Sequence, residues 1–359
     1  MKVKEDRSVE LGKQIALAER MLEERRLAEA VAAFDLAEAM GADANGCAAA
    51  RWTAAMLCGD FEAAWRESDG IRQRGTADPH RFWMGEDVRG ARVMVRCLHG
   101  FGDAIQFLRY MPRLQALAKQ VIVEVPPRMV SLAPLLDGVG EVVTWGEMAP
   151  GTPPDWEVQI EVMELPYLFR TGAVELPLAV EYLRVLTGDL NEAARVMGPA
   201  RGFRVGLVWA AGEWNVARSI PFEFIECLAR SGDAEFWSLQ GGEACGEAAA
   251  LVSEGILRDA GECGDGLRVL AAVIANLDLV ITVDTLAGHL AGAMGKPVWL
   301  LLQHAADWRW MTDRCDSQWY PNTRLFRQPS EGDWSGVVEE VRTELAAMVN
   351  GALVSEVAS

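Results

Sequence analysis

The chain has 359 residues, half of them hydrophobic, which is enough for two or three domains with buried cores. Its 52 acidic residues outnumber 34 basic ones, and the net charge of −18 argues against a nucleic-acid partner and against adsorption to anionic lipid. No apolar run reaches the roughly 18 residues of a membrane span. The N-terminus, Met-Lys-Val-Lys-Glu-Asp, has acids where a signal peptide has its apolar stretch. The seven cysteines are scattered without a CxxC pair and read as reduced thiols. These features predict a cytoplasmic protein without stable membrane insertion.

Residues 1–79 read as an all-α module and linker. Apolar residues recur at helical spacing, Leu17, Met21 and Leu22 on one face and Leu27, Val31 and Phe34 on the next. Leu27-Ala28-Glu29-Ala30 recurs as Phe61-Glu62-Ala63-Ala64, an offset of 34 residues. That is the period of a tetratricopeptide repeat, although an ordinary helical extension also fits. Gly41 and Gly59 supply breaks. Two such hairpins leave both end faces of the stack uncovered. The module is therefore expected to dock on the domain that follows, burying Val31, Phe34, Trp52, Phe61 and Trp65.

Thr76 to Gly90 reads as a linker, and strands then alternate with helices. In a first lobe, residues 80–190, strands are expected at Arg92–Leu98, Gln120–Val125, Glu141–Trp145 and Val158–Glu161, with a helix from about Asp103 to Ala118. After a link at Leu190–Gly202, a second lobe over 203–350 repeats the pattern. Its strands are Arg204–Trp209, Glu235–Leu239, Leu279–Val283 and Val298–Leu302, with helices near 221–231 and over Trp334–Val349. The fold class is α/β: two Rossmann-like, doubly wound lobes behind the helical module.

Three loops carry candidate chemistry. In His99-Gly100-Phe101-Gly102-Asp103 the glycines Gly100 and Gly102 permit a tight turn. Asp103 either caps the next helix or offers a carboxylate to take a proton. In Val283-Asp284-Thr285-Leu286-Ala287-Gly288-His289 a buried strand runs straight into a helix of small residues. The amides there and the Thr285 hydroxyl suit a diphosphate, Gly288 allows close approach, and His289 can reach a phosphate or ribose oxygen. Asp284 would orient the loop. The third loop, Trp209 to Pro221, holds Gly212 and the cation Arg218, with Gln240 at the neighbouring strand end placed to contact a base. Aromatic segments follow at Asp307-Trp308-Arg309-Trp310 and Trp319-Tyr320-Pro321, suited to stacking on sugars or to a core. Zinc spacings, a Walker loop and a GxSxG elbow are all missing from the sequence.

Taken together, GFGDAIQF (Gly100–Phe107) and VDTLAGHLAGAMGKPVWLLL (Val283–Leu302) resemble the heptosyltransferase-related glycosyltransferases of GT-B type. RSIP (Arg218–Pro221), DWRW (Asp307–Trp310) and LFRQP (Leu325–Pro329) fit the same group, in particular bacterial tetratricopeptide proteins with such a C-terminal part. The resemblance implies a nucleotide-diphosphate sugar as co-substrate, bound without metal or other cofactor. It implies Asp103 as the catalytic carboxylate of an inverting transfer. Arg218 falls where the group places a cation on the donor phosphates, and Asp284, Thr285, Gly288 and His289 match its donor loop. The repeat module would recruit a protein acceptor or partner. A non-catalytic adaptor with a degenerate transferase fold, or a nucleotide-sugar epimerase, is the alternative.

Overall fold

The computed structural model describes residues 2–75, 83–146, 155–172, 176, 181–232 and 234–357. The first half of the expected linker, 76–82, lies outside the described residues. The chain divides into two compact units, one of which gathers three separate stretches: Met1–His80, Pro166–Leu176 and Ala305–Arg314.

That first unit is built on four helices, α1 (Lys2–Glu23), α2 (Leu27–Met40), α3 (Ala44–Cys58) and α4 (Phe61–Arg74), each packed on the next. Gly41 and Gly59 end α2 and α3 in left-handed conformation at φ 105° and 75°, and Asp43 and Asp60 cap the helices that follow. The expected breaks thus work by glycine C-caps followed by aspartate N-caps. Phe34, Phe61 and Trp65 are buried as expected, whereas Val31 and Trp52 are only half-buried. Within this unit the helices are covered by the two stretches contributed from far along the chain. The Trp65 indole N–H donates to the Thr171 carbonyl at 2.9 Å and its ring lies 5.9 Å from Tyr167. Asp69 accepts from the Tyr167 hydroxyl and from Arg170. On the other stretch, Trp308 meets Trp52 edge-on at 5.2 Å, and the Thr312 amide donates to Leu57 O. Trp310 and Arg309 are buried, with the Arg309 guanidinium over the Trp308 ring at 4.5 Å. Within the Asp307–Trp310 motif, Arg309 and Trp310 are thus core of the helical unit, and Trp308 is half-buried against Trp52.

The second unit holds two parallel sheets. The first comprises β1 (Arg92–Arg96), β2 (Gln120–Val125), β3 (Glu141–Thr144) and β4 (Val158–Glu161) in the order β3-β2-β1-β4. Helices α5 (Phe101–Phe107) and α6 (Met111–Gln115) follow β1, separated by a 3-10 turn at Leu108–Tyr110. A single helix to Ala118 is expected from the sequence, but Pro112 sits at the start of α6, where its missing N–H costs least. After β4 come α7 (Leu165–Leu168), whose last three residues belong to the first unit, and α8 (Thr187–Met197), so most of the expected inter-lobe link is helical.

The second sheet uses β5 (Arg204–Val208), β6 (Glu235–Ser238), β7 (Leu257–Asp259), β8 (Leu279–Val283), β9 (Val298–Leu302) and β10 (Thr323–Arg327) in the order β10-β9-β8-β5-β6-β7. Its helices are α9 (Phe222–Ala229), α10 (Ala249–Ser253), α11 (Leu267–Ala275), α12 (Leu286–Ala293) and α13 (Ser335–Val357). Strands β5, β8 and β9 are buried along their whole length, as the mostly apolar strands of a parallel sheet covered on both faces are. Trp334, Val337, Val341 and Leu345 place a single helical stripe on the core formed by Val205, Ile281, Trp299 and Phe326. Among the described residues no helix is long and apolar enough to cross a membrane.

Candidate functional site

In each sheet the strand order reverses beside the first strand of the lobe, between β1 and β4 in one and between β5 and β8 in the other. Loops leaving the carboxyl ends of adjacent parallel strands splay apart at such a point, which makes room for a ligand. All three candidate loops leave from these places: His99–Asp103 after β1, Trp209–Arg218 after β5, and Asp284–Thr285 after β8.

The structure brings the first of these loops against the one after β8. α5 packs against α12, and a Cβ on Gly102 would sit 2.6 Å from His289 Cδ2, closer than any side chain tolerates. Gly102 is thus required by the close approach of the two loops. Asp103 occupies the third position of α5, with Gly100 as the N-cap, one turn from where the sequence placed the cap. One of its carboxylate oxygens accepts the Gly100 amide at 2.9 Å.

In the loop after β8, Asp284 and His289 are both buried. His289 Nε2 lies 3.9 Å from one Asp284 carboxylate oxygen, and Arg218 Nη1 lies 3.9 Å from the other. Arg218 also donates to the Asp284 carbonyl at 2.8 Å, tying the loop after β5 to the loop after β8. Thr285 is the N-cap residue of α12, yet its hydroxyl pairs with Thr282 Oγ1 at 3.0 Å and makes no cap bond. Thr285 itself therefore does not cap α12 with its side chain, and the N-terminal end of a helix is the end that favours an anion. Gly288 points the other way: a Cβ there would meet Thr282 Cγ2 at 3.2 Å and Leu300 Cδ1 at 3.3 Å. It lets α12 lie on the sheet.

Gln240 commits its amide to the protein. Its Oε1 accepts from the Trp209 and Ala210 amides, and its Nε2 donates to the Ala210 and Gly241 carbonyls. This clasp shapes the loop after β5, in which Gly212 is the N-cap of a 3-10 turn ending at Arg218. Trp319 and Tyr320 are buried and pack around Arg109.

One residue at the site was missed. Glu161 ends β4 in register with Arg96 of β1, directly beside the Asp103 loop. Burial, with the charges of Glu164 and Asp103 adding to it, raises its carboxyl to about 7 against the pull of the Met163 and Leu98 amides. Oε2 accepts from the Met163 amide at 2.7 Å, and Oε1 is buried without a hydrogen bond of good geometry among the described residues. A carboxyl titrating near neutrality can both take and give a proton. Its signal in the sequence was only an acid ending a short strand, which is common on any surface.

No protein-family model matches the chain. It is 26% identical over 332 residues to Protein FlbA of Caulobacter vibrioides, a match covering 82% of this chain and 54% of that protein. The chain thus spans about half the length of the curated relative it matches. Among solved structures it is similar to the Escherichia coli ADP-heptose lps heptosyltransferase II, with TM-score 0.55 and 15% identity, covering 73% of this chain and 99% of that one. It is similar also to the glycosyl transferase family 9 protein of Veillonella parvula, with TM-score 0.54 and 11% identity, covering 74% and 98%. The two-sheet part of the chain has the GT-B fold of heptosyltransferases, and a helical region precedes it.

Proposed function

We propose that the chain is a glycosyltransferase that moves a sugar from a nucleotide-diphosphate donor to an acceptor hydroxyl with inversion and without metal. The observation that carries this reading is the meeting of the Asp103 loop with the start of α12 at Gly102 and His289. Asp103 takes the acceptor proton. The departing diphosphate is held by the α12 amides, Thr285 and the Arg218 cation beside Asp284. The helical module, read as tetratricopeptide-like, recruits a protein acceptor, and the protein works in the cytoplasm.

The test separates capping from catalysis. Asp103→Asn keeps an oxygen to accept the Gly100 amide but cannot take a proton. With a productive nucleotide sugar found by thermal-shift screening, it should lose about 100- to 10,000-fold in turnover at unchanged melting temperature. Undiminished turnover would remove Asp103 from the base role.

A non-catalytic adaptor is the second reading, favoured by the use of Asp103 as a cap and by the commitment of both ends of the Gln240 amide. Absence of nucleoside diphosphate binding by calorimetry would decide for it.

A further inference from the structure

Arg109 follows α5 and is wholly buried at 2% exposure, yet it has no catalytic assignment. Its guanidinium lies 4.9 Å from the Tyr182 ring centroid and 4.7 Å from that of Tyr320. Nε donates to Gln106 O and Nη1 to Trp319 O, both at 2.7 Å, and Nη2 donates to the Tyr182 hydroxyl at 3.1 Å. The Tyr182 and Tyr320 hydroxyls lie 3.5 Å apart, and the Tyr320 hydroxyl is 3.0 Å from His289 Nδ1.

The direction of this chain follows from its first member. A guanidinium can only donate, so the Tyr182 oxygen accepts and turns its own proton toward Tyr320. The Tyr320 oxygen then accepts and its O–H points to His289 Nδ1. Burial holds the Tyr320 phenol far above its ordinary range, so that proton stays in place. Nδ1 must accept, which leaves the imidazole proton on Nε2. Nε2 faces the junction of the loops, 3.9 Å from Asp284 and 3.1 Å from the position a Cβ on Gly102 would take.

We propose that Arg109, Tyr182 and Tyr320 are positioning residues that fix His289 in the Nε2–H tautomer, so that it donates to a diphosphate oxygen of the donor. The last clause rests on the donor-binding reading above; the tautomer does not. A phosphate oxygen offers only lone pairs, so a histidine presenting a bare nitrogen there would repel it. An Nε2–H held from behind adds a donor beside the α12 amides without adding net charge.

The experiment uses the full-length chain with 15N-labelled histidine. Only four histidines are present, and His289→Asn assigns the resonance. Long-range proton–nitrogen spectra of the wild type are expected to show a protonated Nε2 and a bare Nδ1. Tyr320→Phe keeps the ring and removes the hydroxyl. It should shift the population toward Nδ1–H and weaken binding of ADP, GDP or UDP, whichever the wild type takes, by about tenfold, the worth of one hydrogen bond to a charged acceptor. Tyr182→Phe removes only the relay and should shift the tautomer in the same direction, which covers a Tyr320 variant that fails to fold. An Nδ1–H wild type, or a tautomer unmoved in the folded variants, overturns the proposal. If the wild type binds none of the three nucleotides, the diphosphate clause falls with the donor reading, while the tautomer result stands by itself.

Discussion

Replacing Glu161 by Gln should make the protein more stable at alkaline pH and leave it nearly unchanged at acid pH. Burial first, then the nearby charges of Glu164 and Asp103, raise the folded carboxyl from an ordinary 4.5 to about 7. A group with a raised folded value contributes stability below its unfolded value and loses it as pH climbs through the folded one. Between pH 5 and pH 8 the linkage relation gives a loss of about 2.5 kcal/mol from this one group. The side-chain amide introduced by Glu161→Gln carries no charge to desolvate and can still accept the Met163 amide, so the variant's pH curve should lack that fall. Urea denaturation of both proteins at several pH values, followed by tryptophan fluorescence, reads the difference directly, because every other titrating group cancels between them. The stability gap between E161Q and wild type should widen steadily from pH 5 to 8. Parallel curves would mean that Glu161 titrates like a surface carboxylate, and would end the case for it as a proton-handling group beside Asp103.

Gly102→Ala puts a methyl 2.6 Å from His289 Cδ2, so either the ring or α5 must move. Overpacking of this kind costs about 1–3 kcal/mol, and nucleotide affinity measured by calorimetry should fall with it; wild-type affinity would show that the two loops have slack. A fragment of residues 80–359 removes α1–α4 and strips the cover from Tyr167, Trp308 and Trp310. It should aggregate or bind a hydrophobic dye, whereas a monomeric fragment melting at the wild-type temperature would refute the account of the helical unit.

The elements legible in the sequence were those whose signal is local. Leu279–Val283, apolar but for Thr282, and the unbroken apolar run Val298–Leu302 are strands with the bounds the sequence predicts. The glycine and aspartate stops of the helical module are equally local, and the 34-residue offset reappears as the distance between the starts of α2 and α4. The failures had competing signals. α8 contains Gly188 and Asn191 and reads as a link, but Arg268 pairs with Asp189 and Asn276 donates to Leu190 O, so tertiary partners hold the helix. β10 hides in an aromatic stretch, and only its pairing with β9 makes it a strand. The expectation that the repeats would need a docked partner was sound as arithmetic. The sequence did not reveal that the cover comes from two stretches about 100 and 240 residues further along.

At the site, residue types were legible and orientations were not. Gly102 and Gly288 look alike as small residues beside a candidate ligand. One is forced by His289 across the loop junction, the other by Thr282 and Leu300 beneath the helix. The sequence offers Arg218 as a cation for phosphate, and the structure sets it in the loop after β5 with one nitrogen on the Asp284 carbonyl of the loop after β8. That bond fixes where the remaining donors point, so a phosphate would meet a preset guanidinium instead of a mobile one, with less rotamer entropy left to lose. The same logic runs through His289, whose far nitrogen is held by Tyr320. Arg218 and His289 are thus each held by a neighbour, and under the donor-binding proposal they and the α12 amides would be the donors that meet the diphosphate. A local arrangement of this kind is what a chain of net charge −18 requires to attract an anion, since its long-range field works against one.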